Sequence, residues 1–581
     1  MPMPETLAED VREPLDEAIS ALRKGSASWS ALTVGQRVTL LRGVRRTVAA
    51  SAREWARTAV RSKQLPDGHA LRGEEWLSGP YATLGALDAY IETLDRIANG
   101  RNPLDDVRID RTTSGQTRVH TFPLLGIDKL LLSGFTGEVW LTPGVTPGDA
   151  RARAGLAQRS TAEDDGGIGL VLGAGNITSI PVLDVLYELL AHDRVVLLKV
   201  NPTQDALVPV FERALAPLIA PGFLRIVRGG PEVGAYLTAH HGFAHVHITG
   251  SAATFDAIVW GPSTGPGSAQ TKRRKRENRP RLKTPITAEL GGVSPIIVVP
   301  GEWTAADLRF QAEHVATMRL QNAGHNCIAG QVVILSDDWA QKDQFLIELR
   351  RAYALAPERP IWYPHSAERM AQAAETYPDA LVLADRLLVE IGVGDDPTAL
   401  ENTEYFAPVL GVVQLGGTGQ EFLDAAVAHA NEKLQGTLGA NLLIDPTTET
   451  MLGGGFERAI TALRYGSIAI NAWTAVGFIT PTVTWGAYPG NTIAEVGSGI
   501  GVVHNALLLA DVERSVMRGP FRPFPRSASI VRDGGRFTIL PKPPWFASSR
   551  TAAEVSEGLT RYRVRGGVLA LMRTLVQAMR A

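Results

Sequence analysis

The spacing of apolar residues divides the first part of the chain into three regions. Residues 6–99 carry apolar side chains at intervals of three and four, as at Val44 and Val48, and this spacing predicts a helical N-terminal layer. Residues 116–146 change to short apolar runs bounded by Gly and Pro, which favours strands or a hairpin. The polar, glycine-containing residues 151–167 predict a loop.

Two series of short apolar runs follow, with helical patterns between them. Strands that alternate with helices indicate βαβ units and parallel sheets. We therefore predict an α/β fold with two Rossmann-like lobes. The runs of the first series lie at 168–172, 195–200, 224–227 and 245–248, and those of the second lie at 296–299, 331–335, 381–383, 409–413 and 440–444.

Length and composition agree with this reading. The 581 residues exceed the ~250–300 at which a single hydrophobic core stops growing, so at least two large lobes are expected. A hydrophobic share of 45% beside a charged share of 20% is ordinary for a soluble globular protein. The formal net charge of −2 gives no field that would attract nucleic acid, so the expected partner is a small molecule.

The chain shows no sequence signal for export or for stable membrane insertion. Its longest uncharged stretch, residues 465–494, contains four glycines and two prolines, which is not typical of a transmembrane helix. The first 12 residues lack the basic and apolar regions of a secretory signal, and one cysteine cannot form an internal disulfide. We expect a cytoplasmic protein.

Three minor motifs receive ordinary structural interpretations. The basic residues within 271–283 predict a solvated surface insertion, because no basic excess occurs elsewhere. The glycine-rich residues 497–501 predict a flexible loop. His325 and Cys327 are an isolated pair without further ligands at a usual spacing, so no metal site is expected.

Cys327 is the only cysteine and the first candidate for chemistry. It lies in QNAGHNCIAGQVVIL, where a glycine-containing loop precedes it and an apolar run follows. A thiolate is a strong nucleophile, and its pKa falls beside positive charge or at a helix N-terminus. A lone cysteine is nevertheless more often a buried structural residue.

Seven segments in a fixed order change that interpretation. Together they resemble the aldehyde dehydrogenase superfamily from about residue 168 to residue 521, and the order is more specific than any one segment. The segments are LGAGNITSIP, VVLLKVNP, HITGS, TAELGGVSP, NAGHNC, EYFAPVL and SIAINAW.

The resemblance implies a set of catalytic roles. Cys327 would be the nucleophile that attacks an aldehyde, and the Asn176 side-chain amide with the Cys327 backbone N–H would stabilise the oxyanion. Glu289 would be the general base that activates water to hydrolyse the thioester. The structural alternatives are that Asn176 caps a helix beginning near Ile180, and that Glu289 ends a strand in a turn.

The resemblance also implies a nicotinamide cofactor. Phe255 stands where the family usually has glycine at the phosphate site. Pro202 stands where the family often has a glutamate that favours NAD, so NAD and NADP both stay open. The implied contacts are Lys199 with the adenosine ribose, Gly230 near the adenosine, Gly250 and Ser251 with the phosphates, Glu404 with the nicotinamide ribose and Phe406 beside the nicotinamide.

Three residues are candidates for tuning or substrate contact. His325 replaces the usual glutamine of the family, and its imidazole would either pack as a neutral ring or stabilise the thiolate as a cation. Asn471 and Trp473 border the substrate tunnel in relatives. The aromatic residues of this region indicate a hydrophobic aldehyde.

The expected domain layout follows the family. Residues 1–115 and 161–288 would form a cofactor domain, and residues 289–480 a catalytic domain. Residues 116–160 and 510–521 would form an oligomerisation arm, which implies a homodimer or homotetramer. Residues 522–581 extend past the usual family end without a readable role, although 568–579 predict an amphipathic helix.

The predicted activity is NAD(P)-dependent oxidation of an aldehyde to a carboxylic acid through a thioester on Cys327. One alternative is a CoA-acylating aldehyde dehydrogenase or an acyl-CoA reductase, although such an enzyme does not need Glu289 to activate water. A second alternative is a non-catalytic family member that keeps the fold.

Overall fold

The computed structural model describes residues 7–124, 126–159, 166–265, 267–383, 385–392, 395–529 and 535–581. The described residues form 22 α-helices and 19 strands, numbered here in chain order. The predicted boundary between arm and cofactor domain, at residues 160 and 161, lies outside the described residues.

The helices are α1 (Glu9–Ser30), α2 (Val34–Ser62), α3 (Gly73–Trp76), α4 (Ala82–Ala98), α5 (Gly126–Leu131), α6 (Pro147–Arg153), α7 (Ile180–His192), α8 (Val208–Ala214), α9 (Ala216–Ile219), α10 (Pro231–Ala239), α11 (Ala252–Val259), α12 (Ser268–Arg276), α13 (Ala305–Leu320), α14 (Lys342–Leu355), α15 (Ser366–Thr376), α16 (Thr398–Asn402), α17 (Gly419–Glu432), α18 (Pro446–Leu452), α19 (Gly454–Ala462), α20 (Thr474–Phe478), α21 (Ala552–Arg565) and α22 (Val568–Ala578). Short 3₁₀ or π segments lie at Ala70–Arg72, Leu77–Tyr81, Leu156–Arg159, Pro202–Leu207, Gln321–Gly324 and Arg526–Ala528.

The strands are β1 (Ile109–Arg111), β2 (Thr117–Phe122), β3 (Thr136–Leu141), β4 (Ile168–Leu172), β5 (Val195–Lys199), β6 (Leu224–Val227), β7 (His245–Gly250), β8 (Ile286–Leu290), β9 (Ser294–Val298), β10 (Gly330–Ser336), β11 (Leu381–Leu383), β12 (Arg386–Glu390), β13 (Val409–Leu415), β14 (Gly439–Leu443), β15 (Ser467–Ile470), β16 (Trp485–Gly486), β17 (Gly499–Ile500), β18 (Val502–Val503) and β19 (Val512–Arg518).

The first lobe is built on a six-stranded sheet in the order β17-β8-β7-β4-β5-β6. Strands β4 to β8 are mutually parallel, and β17 pairs antiparallel with β8 at the edge. Every residue of β4 and β5 is buried, as expected for parallel strands covered by helices on both faces. The strand order reverses between β4 and β7, and this reversal opens a crevice at the carboxyl ends of the strands.

The second lobe is built on an eleven-stranded sheet in the order β1-β2-β3-β19-β15-β14-β9-β10-β13-β12-β11. Its centre is parallel, and β19 continues it by pairing parallel with β15. On its other side β19 pairs antiparallel with β3, which pairs antiparallel with β2. The segments assigned to the arm therefore form one antiparallel continuation of this sheet, and their role in oligomerisation stays a prediction. The α/β fold class with parallel sheets is confirmed.

The C-terminal residues fold back onto the body. Helix α21 packs against α3 and the Leu77–Tyr81 segment, and α22 packs on α21 through Leu571, Thr574 and Ala578. The opposite face of α22 exposes Leu569 and Met572. Within the described part of the chain, every helix is too short or too polar to cross a bilayer.

Candidate active site

The carboxyl ends of the parallel strands gather most of the predicted site residues of the first lobe. Asn176 follows β4, Lys199 ends β5, Ser251 follows β7 and Glu289 lies in β8. The crevice at a switch point of strand order is the usual ligand site of such sheets. Cys327 comes from the second lobe, on the turn immediately before β10.

The loop before Cys327 adopts an unusual backbone conformation. Asn322 and Ala323 have φ values of 55° and 53°, in the left-handed region that L-residues other than Asn and Asp seldom occupy. The Asn322 side-chain N–H donates to the Asn176 carbonyl at 3.3 Å and to the His325 carbonyl at 3.0 Å. These bonds connect the strand end that carries Asn176 to the loop that carries Cys327.

A buried charge cluster, which we call the Lys63 cluster, holds this loop from behind and was not predicted from the sequence. It consists of Lys63, Glu74, Glu75 and Arg359. Arg359 contacts Glu74 at 2.5 Å and Glu75 at 3.0 Å, while Lys63 contacts Glu75 at 2.9 Å. Lys63 and Arg359 both donate to the Asn322 side-chain oxygen, and the Asn322 backbone N–H donates to Glu74.

We expect Arg359→Met to lower the free energy of unfolding by about 3–5 kcal/mol, because it leaves two buried carboxylates facing only Lys63. The matched control is Arg350→Met, which breaks the 2.5 Å ion pair with Glu390 on the surface and is expected to cost less than about 1 kcal/mol. Urea denaturation followed by circular dichroism measures both. Equal losses in the two variants would contradict the proposed role of the Lys63 cluster.

Cys327 and Asn176 line the same apolar cavity, whose volume is about 60 Å³. The Cys327 side chain is partly buried, and loss of bulk water together with the charges of Glu289 and Glu404 raises the pKa of its thiol. Among the described residues, no cation is a cause of this shift that would lower the pKa of the thiol. The resting cysteine is therefore a thiol that has to lose its proton before it attacks.

Asn176 is not the cap of α7, because that helix begins at Ile180 with Ser179 in the N-cap position. Its buried side-chain amide instead donates to the His325 carbonyl at 2.9 Å. A primary amide carries two N–H donors, so one bond can fix the group while the other serves an oxyanion. The helix-cap alternative for Asn176 is therefore wrong, and its role at the oxyanion stays a prediction.

Glu289 is buried within β8, where it pairs in register with Thr249 and Gly499. Burial raises the pKa of its carboxyl to about 7, and a hydrogen bond from the Trp485 indole N–H lowers it in part. A Cβ atom at Gly499 would overlap the Ala288 carbonyl oxygen, so a glycine is required for this close approach. Residues 497–501, interpreted above as a flexible loop, therefore contain an edge strand beside Glu289.

His325 lies behind the loop in an aromatic surrounding. Its ring centroid is 5.4 Å from that of Trp362, 5.7 Å from that of Tyr363 and 5.9 Å from that of Phe406. Burial lowers the pKa of the imidazole well below its ordinary value, and the charge of Arg359 lowers it further. This surrounding favours the packed, neutral ring over the cation.

The residues assigned to the cofactor lie on both lobes and fit a dinucleotide. Ser251 caps α11 through a 3.2 Å bond from the Thr254 backbone N–H, directly after Gly250 ends β7. This turn leads into a helix N-terminus, the usual place for a phosphate. Gly230 occupies the N-cap position of α10, which follows β6, but makes no side-chain cap. Phe255, at the position of the usual glycine, is buried in the core.

Lys199 and Glu404 supply the charged groups of this region. Burial lowers the pKa of the Lys199 ammonium group, although the charges of Asp205 and Glu232 raise it. Burial raises the pKa of the Glu404 carboxyl to about 7, and one of its oxygens has no hydrogen-bond partner among the described residues. A Cβ at Gly291 would overlap the Glu404 carboxylate. This carboxylate therefore lies against the backbone of Gly291, two residues after Glu289. A buried acceptor without a partner is what a ribose hydroxyl would satisfy.

Asn471 and Trp473 have different surroundings. The Asn471 side chain accepts from the Ile444 backbone N–H at 2.9 Å and donates to the Ile444 carbonyl at 2.8 Å, so it joins the ends of β14 and β15. Trp473 lines the cavity beside Cys327, together with Phe478 and Trp485.

Comparisons with known proteins show similarity to aldehyde dehydrogenases. The model of the aldehyde dehydrogenase family matches residues 191–356. An N-succinylglutamate 5-semialdehyde dehydrogenase of Sphingopyxis alaskensis is 27% identical over 36% of this chain and 42% of its own length. A coniferyl aldehyde dehydrogenase of a Pseudomonas species is 34% identical over 26% of this chain and 27% of its own length.

The fold has a solved counterpart over nearly its full extent. The NADP-dependent glyceraldehyde-3-phosphate dehydrogenase of Bacillus halodurans, solved in complex with NADP, has a TM-score of 0.57 at 17% identity over 87% of this chain and 91% of the other. This chain therefore spans less than half the length of these two relatives, and 91% of the length of this solved structure.

Two doubly wound lobes with a thiol and a buried carboxylate between them define an α/β protein whose fold is similar to that of solved aldehyde dehydrogenases. Over residues 191–356 the chain matches the model of the aldehyde dehydrogenase family.

Proposed function

We propose that this protein oxidises an aldehyde to a carboxylic acid, with NAD or NADP as the electron acceptor. The observation that carries the proposal is the convergence of three groups from three segments: the Cys327 thiol, the Asn176 amide and the Glu289 carboxylate. The first two line one cavity, and the charge of the third reaches the thiol.

Each of these groups has one task in the proposed reaction. The Cys327 thiol gives its proton to solvent water, its sulfur attacks the carbonyl carbon, and the second N–H of Asn176 stabilises the oxyanion that forms. A nicotinamide cofactor held by the residues assigned above would supply the acceptor for the hydride that leaves this carbon. Glu289 then takes a proton from a water molecule, whose oxygen attacks the thioester and releases Cys327.

Glu289 suits the last step because its carboxyl has a pKa of about 7. A general base is most effective when its pKa lies near the working pH. The N–H of Trp485 fixes the orientation of this carboxylate from the cavity wall. Lys199, Gly230, Gly250, Ser251, Glu404 and Phe406 are the residues proposed to hold the cofactor.

The test is to incubate the purified protein with uncharged aldehydes and NAD or NADP, with and without CoA. We expect formation of NADH or NADPH without CoA, and a carboxylic acid that contains at least one heavy oxygen when the reaction runs in water enriched in the heavy isotope. Mass spectrometry of the product measures this incorporation. Strict dependence on CoA would favour the acylating alternative, and absence of turnover with either cofactor would favour the non-catalytic one.

A further inference from the structure

The cavity beside Cys327 is apolar and lacks charge. Its walls include Leu77, Ile177, Val476 and Phe478. Of the described residues that line it, none is Lys, Arg, Asp, Glu or His. A charged group on the substrate would lose its hydration in this cavity without gaining a partner, which is strongly unfavourable.

One wall of this cavity comes from the C-terminal residues that follow the family-like part of the chain. Trp545 lines the same cavity as Cys327 and Asn176. Its ring packs edge-on against Phe135 with centroids 5.9 Å apart. The two residues after Trp545 pack against α13. Phe546 stacks on His314 with ring centroids 4.9 Å apart, and the Ala547 backbone N–H donates to the Thr317 side chain at 3.0 Å.

Two of the tryptophans that line this cavity carry a buried indole N–H without an acceptor among the described residues. They are Trp473, which is 2% exposed, and Trp545, which is 8% exposed. A buried donor without an acceptor costs free energy, so a partner is normally present. Trp303 also has a buried N–H without a described acceptor, but it does not line this cavity. Trp473 and Trp545 differ from Trp303 in that they line the cavity beside Cys327.

We infer that the substrate is an uncharged aldehyde whose apolar body carries a hydrogen-bond acceptor oxygen, such as an ether, hydroxyl or carbonyl oxygen, and that the indole N–H of Trp545 donates to it. This inference rests on the proposed function. It makes Trp545 a specificity-determining residue and gives the C-terminal residues a role in substrate selection. Trp473 is the second donor on the same walls.

The experiment compares ω-methoxy aldehydes with the straight-chain aldehydes in which a methylene replaces the ether oxygen. The ratio of kcat/KM for the two members of a pair isolates the contribution of the acceptor. For at least one pair we expect Trp545→Phe to lower this ratio about tenfold, the value of one buried hydrogen bond. Phenylalanine keeps an aromatic ring beside Phe135 and removes the indole N–H together with the pyrrole part of the side chain, and the ratio within a substrate pair corrects for the change in volume.

The matched control is Trp303→Phe, which removes a buried indole N–H away from the cavity and is expected to leave the ratio unchanged. Calorimetry of the same pairs with Cys327→Ala, with and without Trp545→Phe, gives the ratio of the two binding constants in a protein that cannot form the thioester. We also expect succinic semialdehyde, which is anionic, to be used at least about tenfold less efficiently than the uncharged pairs.

The outcomes distinguish failure of the proposed function from failure of the inference about Trp545. Absence of turnover of every aldehyde by the wild-type protein, with intact binding ratios in the Cys327→Ala background, would count against the proposed function alone. Wild-type turnover with the same ratio in Trp545→Phe would refute the inference and leave the proposed function standing. A loss of the ratio in Trp473→Phe only would refute the role of the C-terminal residues.

Discussion

Cys327→Ala is expected to lower the rate of aldehyde oxidation by at least about 10⁴-fold, because no acyl group can form on alanine. Asn176 and the cavity walls would still bind the aldehyde, but the covalent step that prepares its carbon for hydride loss would be missing. Initial rates of NADH or NADPH formation measure the change. We expect neither a pre-steady-state burst nor steady turnover in the variant.

The control for Cys327→Ala is retained binding of cofactor and aldehyde, measured by calorimetry. The substitution removes one sulfur atom from a partly buried position beside an existing cavity, so the fold is expected to persist. A variant that binds both ligands and turns over within about tenfold of the wild-type rate would refute the nucleophilic role.

The regular parts of the fold were predictable because their side chains repeat with a fixed period. Strands β4, β6 and β11 have the predicted bounds, and β5 and β7 differ by only one or two residues at their ends. The apolar runs of β4 and β5 are continuous, as parallel strands covered on both faces require, whereas β11 is an exposed antiparallel edge strand. Strand β8 was not predicted, because Glu289 interrupts its apolar run and two glycines follow it.

The groups that carry chemistry were predictable only through the ordered resemblance. A buried glutamate or a lysine at a strand end has an ordinary structural meaning by itself. The Lys63 cluster shows the limit of such reasoning, since Lys63 and Arg359 are far apart in sequence and charged residues are expected on the surface. Two adjacent acids, Glu74 and Glu75, before Trp76 in a helical stretch were the only local signal.

The C-terminal residues were unreadable for a different reason. The amphipathic pattern of α22 indicated one packed face but not the surface against which it packs. Trp545 lies in a proline-rich stretch without a period, and its place on the cavity wall follows from contacts with Phe135 and α13 that are distant in sequence.

Glu289→Gln is expected to lower steady-state turnover about 10²–10⁴-fold while a burst of NADH or NADPH of about one equivalent per active site persists. Glutamine keeps the size of the side chain and a hydrogen-bond partner for Trp485, but it cannot accept a proton from water. Formation of the thioester would continue, and its hydrolysis would become limiting. Stopped-flow absorbance resolves the burst from the steady rate.

The pH dependence of thioester hydrolysis identifies the group responsible. Because the pKa of Glu289 is raised to about 7, the carboxyl is protonated and inactive below that pH and becomes a base above it. Single-turnover hydrolysis should therefore rise with pH through about 7 in the wild type and lose this rise in Glu289→Gln. Glu404→Gln is the matched control, since the pKa of Glu404 is also about 7 and its carboxyl is assigned to the cofactor. If the rise disappears in Glu404→Gln and remains in Glu289→Gln, the assignment of the general base is wrong.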